Sequence, residues 1–170
     1  MRSRIVTLVV LVLMLSLAGF GCAKKGAGAG AGSGSSWEDQ ERARLEQERA
    51  LREKMGQAAN ELAQMIHFAF NSSNLTAESR QILTRKAEIM RQYPQIKVVV
   101  EGNCDQRGTA EYNLALGERR AQASAQYLTN LGIPADRLST VSYGKERPLD
   151  PGTSQAAYAK NRRDEFRATY

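Results

Sequence analysis

Apolar residues occur in this chain first as one continuous block and then, after a long polar gap, as short periodic segments. The block runs from Ile5 to Leu17, thirteen residues broken only by Thr7 and Ser16, behind Arg2 and Arg4. That is short for a membrane-spanning helix, which needs about twenty residues. A basic start, an apolar stretch and then small residues predict a secretory leader over 1–21. Residues 23–36 (AKKGAGAGAGSGSS) carry no large apolar side chain. With Cys22 they predict a flexible tether over 22–36, which cannot bury a core and reaches roughly 20 Å.

From Trp37 the pattern becomes helical. Leu51, Met55, Ala58, Ala59 and Leu62 fall on one stripe, while eight of the twelve residues 38–49 are charged. This predicts a charged helical segment over 37–64, ~42 Å long at 1.5 Å per residue. Either its last turns dock on a folded domain while the rest is solvated, or it is a spacer that meets a partner.

Residues 65–170 alternate between periods of two and of 3.6, as one folded domain would. Met65–Phe70 puts Ile66, Phe68 and Phe70 on one strand face and Met65, His67 and Ala69 on the other. His67 is then an ordinary strand residue rather than a catalytic base. After the turn Asn71-Ser72-Ser73-Asn74, Thr76 caps a helix bearing Ile82, Leu83, Ala87, Ile89 and Met90, which Pro94 stops. Ile96–Glu101 is a β-branched strand, 102–108 a loop, and Glu111–Leu131 a helix ended by Gly132 and Pro134. A strand over Leu138–Tyr143, a short helix over Ala156–Asn161 and an alternating strand over Arg163–Thr169 complete the chain. The order β-α-β-α-β-(α)-β predicts an α/β sandwich with its helices on one face of a mixed sheet.

Composition narrows the chemistry. His67 is the only histidine among 170 residues, so no mechanism can use two imidazoles. Two cysteines and one histidine cannot complete a zinc quartet, and no metal or dissociable cofactor is expected. The net charge of +6 becomes +4, with 22 Lys+Arg against 18 Asp+Glu, once Arg2 and Arg4 leave with the leader. No basic run is interleaved with aromatics, so no nucleic-acid partner is expected.

Two resemblances extend this reading. Ala18-Gly19-Phe20-Gly21-Cys22 resembles a bacterial lipobox, with Gly19 where Leu is usual. It implies cleavage before Cys22 and a covalent diacylglycerol and N-acyl lipid on that residue, more than one chain being needed for stable anchoring. An ordinary leader or an uncleaved anchor would be the plain alternatives. Ala23 is not the Asp that retains such proteins at the inner membrane, which implies the outer membrane with the domain facing the periplasm. A lipidated Cys22 leaves Cys104 unpaired, so no disulfide is expected.

The stretch VEGNCDQRGTAEYNLALGERRA (100–121) resembles the signature of OmpA-like peptidoglycan-binding domains. VSYGKERP (141–148) and AYAKNRR (157–163) are similar to the lipoprotein branch of that family. The resemblance implies a non-catalytic receptor for the peptidoglycan stem peptide that links outer membrane to cell wall, with Tol-system proteins as further partners. Its ligand, meso-diaminopimelate, ends in an ammonium and a carboxylate. The family meets these with an Asp and an Arg fifteen residues later, here Asp105 and Arg120. A guanidinium fork suits a carboxylate. Asn113, Leu116 and Arg120 share one helix face at i, i+3 and i+7. Phe70, Asn71 and Cys104 match pocket positions, and Arg162 and Arg163 match rim or structural ones. Asn71, Asn103 and Cys104 depart from the family's usual residues there. Taken without the resemblance, Asp105 could be a turn residue and Arg120 a surface partner of Glu118 or Asp105.

Other classes fit less well. Metal-dependent amidases need ligands that one histidine cannot supply, and nothing but their presence links Cys104 with His67 as a hydrolytic pair. A muramidase needs two free carboxylates; Asp105 and Glu111 stand among Arg107, Arg119 and Arg120, which argue for salt-bridged acids. A flagellar stator subunit would need a longer apolar span than 5–17. An inner-membrane or signalling lipoprotein would use the charged helix for partners. The lipid reading predicts that Cys22→Ser abolishes radioactive palmitate incorporation and processing at that site; a variant still labelled and processed there would contradict it.

Overall fold

The computed structural model describes residues 36–170. The expected leader, the lipid site Cys22 and the tether up to residue 35 lie outside the described residues. Helix α1 (Trp37–Leu62) leads to β1 (Ile66–His67), α2 (Ala77–Gln92), β2 (Lys97–Asn103) and α3 (Ala110–Asn130). A 3₁₀ turn (Ala135–Arg137), β3 (Leu138–Gly144), α4 (Gln155–Asn161) and β4 (Arg163–Thr169) follow. Side chains cap three of the helices: Thr76, Thr109 and Ser154 each accept a bond from the backbone N–H three residues on, at 3.0, 3.2 and 3.1 Å.

The strands form one mixed sheet in the order β1-β4-β2-β3. β3 runs parallel to β2, as the α3 crossover requires, and β4 lies antiparallel between β1 and β2. Val98, Val100 and Phe166 project from the sheet into a core with Leu83, Ala87 and Met90 of α2 and Ala121 and Leu128 of α3. Met55, Ala58 and Leu62 carry the end of α1 into the same core, while its residues 37–54 are exposed. The chain thus folds as an α/β sandwich, with its long helices on one sheet face.

One contact sets how closely α3 rides on β2. A Cβ on Gly102 would stand 2.0 Å from the Gly117 carbonyl oxygen, and one on Gly117 would stand 2.3 Å from Ser142 Oγ. Only hydrogen fits at both places. The approach brings Arg120, one turn beyond Gly117, to the end of β2.

Several elements differ from the sequence pattern. β1 spans two residues instead of six, because the carbonyls of Phe68 and Ala69 accept from the side chains of Arg162 and Arg120 rather than from a neighbouring strand. Phe70 therefore leaves the core face and is 63% exposed. Asn71 takes a left-handed backbone, φ 52°, which asparagine tolerates better than most residues. β2 extends to Asn103, two residues into the expected loop. Leu51, expected on the buried stripe of α1, is exposed, since the core ends at Met55.

Lys86 of α2 is buried against this core. Its ammonium donates to the Leu62 carbonyl at the end of α1 and stands 4.1 Å from the centroid of the Phe166 ring. Burial without a carboxylate partner lowers its pKa from 10.5 to about 7. Between those values the unfolded chain holds a proton that the fold releases, so stability rises with pH across that window and the full penalty applies below it. Asp164 acts oppositely: burial raises its pKa from 3.8 to about 7, so stability falls as pH climbs through that range. We expect the urea midpoint to rise from pH 7 to 9.5 in the parent and to stay flat over that range in Lys86→Met. Equal slopes in the two proteins would contradict the assignment.

Candidate functional site

The β2–α3 connection, residues 104–109, opens beside the turn that follows β1, and the two border a cavity of about 190 Å³. Phe70, Asn71, Cys104, Asp105, Asn113, Leu116 and Arg120 all line it, as does Arg162. Arg163 does not: it is buried against Glu165 and donates to the carbonyls of Arg147 and Asn161.

The loop is held from beneath. Asn113 donates through its amide nitrogen to the carbonyls of Arg107 (2.7 Å) and Thr109 (2.9 Å), so it shapes the loop that carries Asp105. The Cys104 N–H donates to Gly144 O at 2.7 Å, tying the loop to the end of β3. The Cys104 thiol is free and buried, and burial raises its pKa against the pull of Arg120. Tyr112 donates its hydroxyl to Asn71 Oδ1 across the cavity mouth.

Arg120 is fully buried, and all three of its nitrogens donate to the protein. Nε reaches Ser72 O (2.9 Å), Nη1 reaches Asn103 O (2.9 Å) and Cys104 Sγ (3.4 Å), and Nη2 reaches Ala69 O (3.2 Å). It pairs with neither Glu118 nor Asp105. A free two-pronged fork, expected from the sequence, is absent here because the guanidinium closes the ends of β1 and β2. Burial lowers its pKa, and nearby acids, Asp164 among them, oppose that. Asp164 accepts from Ser124 Oγ at 2.5 Å, one helical turn beyond Arg120, and its other oxygen has no partner among the described residues.

Asp105 is almost fully buried and paired twice. Arg107 grips it through Nε (3.0 Å) and Nη2 (2.7 Å), and Arg162 Nη1 stands 3.3 Å from Oδ2. Burial pushes its pKa up, but the bonds from Arg107 and Arg162 outweigh that and leave it below the usual carboxylate value. The salt-bridged acid expected from the neighbouring arginines is present. What the sequence pattern did not reveal is that Arg107 lines the cavity. Its guanidinium lies 4.2 Å from the Phe70 centroid and 4.3 Å from that of Tyr158. The available signal was an Arg two residues after an Asp in a loop, the spacing of a local Asp–backbone turn (Arg107 N to Asp105 Oδ1, 3.2 Å).

Comparison with known proteins agrees with this architecture. The OmpA family model matches residues 67–162. A peptidoglycan-associated lipoprotein from Pasteurella multocida is 51% identical over 98 residues, which are 58% of this chain and 65% of that relative. The match thus spans just under two thirds of the relative's length. The crystal structure of the peptidoglycan-associated lipoprotein from Burkholderia pseudomallei superposes with a TM-score of 0.62 at 36% identity, covering 64% of this chain and 93% of the other. The C-terminal domain of Helicobacter pylori MotB, at 24% identity and a TM-score of 0.59 over 63% of this chain and 84% of that one, shares the fold. With its family model matched from the first strand to the last helix, and with that fold and cavity, the chain belongs to the OmpA family.

Proposed function

We propose that this chain is a lipoprotein anchored in the outer membrane through Cys22, whose domain faces the periplasm and binds peptidoglycan without cleaving it. In this reading residues 1–21 are the leader, 22–36 the lipidated tether, 37–64 the charged helix and 65–170 the binding domain. The relatives named as peptidoglycan-associated lipoproteins support the class. Linking membrane to wall in this way would support envelope integrity. The similarity of 141–148 and 157–163 to the lipoprotein branch suggests Tol-system proteins as partners. Among the described residues no helix is long and apolar enough to cross a membrane.

The observation that carries the ligand assignment is one buried carboxylate, Asp105, set among the guanidinium groups of Arg107, Arg120 and Arg162 in one small cavity. Acid and base together match a zwitterion. Sites for drug-sized ligands occupy about 300–1,000 Å³. A cavity of about 190 Å³ suits the end of one amino-acid side chain better than a sugar or a whole stem peptide. The free end of meso-diaminopimelate has both the charges and the size. Asp105 receives its ammonium, Arg120 adds positive potential beneath its carboxylate, and Leu116 and Phe70 border its methylene chain.

The test is co-sedimentation with purified wall. Asp105→Asn keeps the shape and removes the charge; it should weaken binding to diaminopimelate-containing wall roughly thirtyfold, the scale on which one partner of a desolvated pair matters. Arg167→Ala, on the open sheet face and paired with Glu101, should bind like the parent. Unchanged binding by a folded Asp105→Asn protein would refute the site.

Arg120 needs a separate readout, because it also closes the fold. Arg120→Ala leaves three backbone carbonyls without their donor and should cost at least about 2 kcal/mol of stability. Urea denaturation measures this, and a variant as stable as the parent would show that the carbonyl cage is not what holds the pocket.

A further inference from the structure

Without a ligand, the carboxylate of Asp105 is already satisfied. Arg107 covers both of its oxygens, and Arg162 reaches one of them while its Nε holds Phe68 O at 3.0 Å. An incoming ammonium must therefore take a place that Arg107 occupies. Arg107 is the guanidinium with room to change partners: its side chain is 33% exposed, against 14% for Arg162, and Arg120 is fully buried. It lies close to the rings of both Phe70 and Tyr158, and Phe70 is itself largely exposed.

Taking Asp105 from Arg107 would leave a planar cation beside two rings with no counter-ion. A ligand that brings only an ammonium creates that unpaired charge. One that brings an ammonium and a carboxylate on the same carbon replaces both halves of the pair at once. Discrimination by leaving a charge unpaired in the wrong complex is stronger than discrimination by shape alone.

Resting on the zwitterion reading above, we propose that ligand entry is an exchange of partners: Asp105 passes from Arg107 to the ligand's ammonium, and Arg107 passes from Asp105 to the ligand's carboxylate. Arg107 is then the residue by which this site distinguishes diaminopimelate from lysine, which presents the same ammonium without the carboxylate. Arg162 stays on Asp105 and Phe68 O throughout and keeps the acid ionised.

The full chain in detergent is titrated calorimetrically with three muropeptides. One ends its third residue in diaminopimelate, one carries lysine there, and one carries diaminopimelate amidated at the carboxylate beside the free ammonium. The parent should prefer the first at least tenfold. In Arg107→Gln the three affinities should come within threefold of each other, the lysine form binding at least as well as it does to the parent. Arg107→Lys, which keeps the charge without the fork, should recover part of the preference. A tenfold preference that persists in Arg107→Gln overturns the exchange. So does an Arg107→Lys protein as indiscriminate as Arg107→Gln, since that assigns the effect to packing against the rings. The two readings fail separately. A parent that binds none of the peptides, or all three alike, or an Asp105→Asn protein that binds like the parent, refutes the zwitterion site itself. A parent that discriminates beside an Asp105→Asn protein that does not bind leaves that site standing, whatever Arg107→Gln shows.

Discussion

A guanidinium with no solvent contact must find its counter-charge inside the protein, and at Arg120 it finds it in backbone dipoles. Ala69 and Ser72 come from the turn after β1, and Asn103 from the end of β2. Three carbonyls and the Cys104 sulfur thus replace the water that the cation would otherwise hold. This junction is the reason β1 stops after two residues, since the carbonyls that would extend it point at a side chain. It also requires the contact between Gly102 and Gly117, without which α3 would stand too far from β2 for Arg120 to arrive. The cavity is what remains between the two segments so joined.

The same device recurs through the fold. Lys86 donates to the last carbonyl of α1, Arg137 to the carbonyls of Tyr93 and Ile96, and Arg162 to that of Phe68. Each joins a side chain to the end of a separate element, where carbonyls lack partners from their own helix or strand. The excess of Lys and Arg over Asp and Glu, 24 against 18, is therefore partly a matter of joinery. A reading of net charge alone, which looks for an external polyanion, has no access to that distinction.

Periodicity revealed the larger part of the architecture, because hydrophobic spacing records which side of an element is buried. The cap at Thr76, the span of β4 and the extent of α3 all follow from local residues. Leu51 and Phe70 did not conform, since apolar character says that burial is favourable and not that a neighbour is present. Asp105, Asn113, Leu116 and Arg120 were brought to one place by a pattern of spaced motifs. The electrostatics were only partly legible. That Asp105 is ion-paired could be inferred from its arginine neighbours. That Arg120 is enclosed by carbonyls could not, because backbone acceptors look alike at every position in a sequence.

The docking of α1 has a mechanical meaning. Load applied at Trp37 travels along the exposed residues 37–54 of the helix before it reaches a buried contact. It then falls on Met55, Ala58 and Leu62 and on the bond from Lys86 to the helix's last carbonyl. Past these, the next structure in line is β1, an edge strand two residues long, and then Ala69 and Ser72, which hold Arg120. Along the chain, the docked helix end precedes the turn that closes the cavity. Tension along the chain thus reaches the cavity through a single short path.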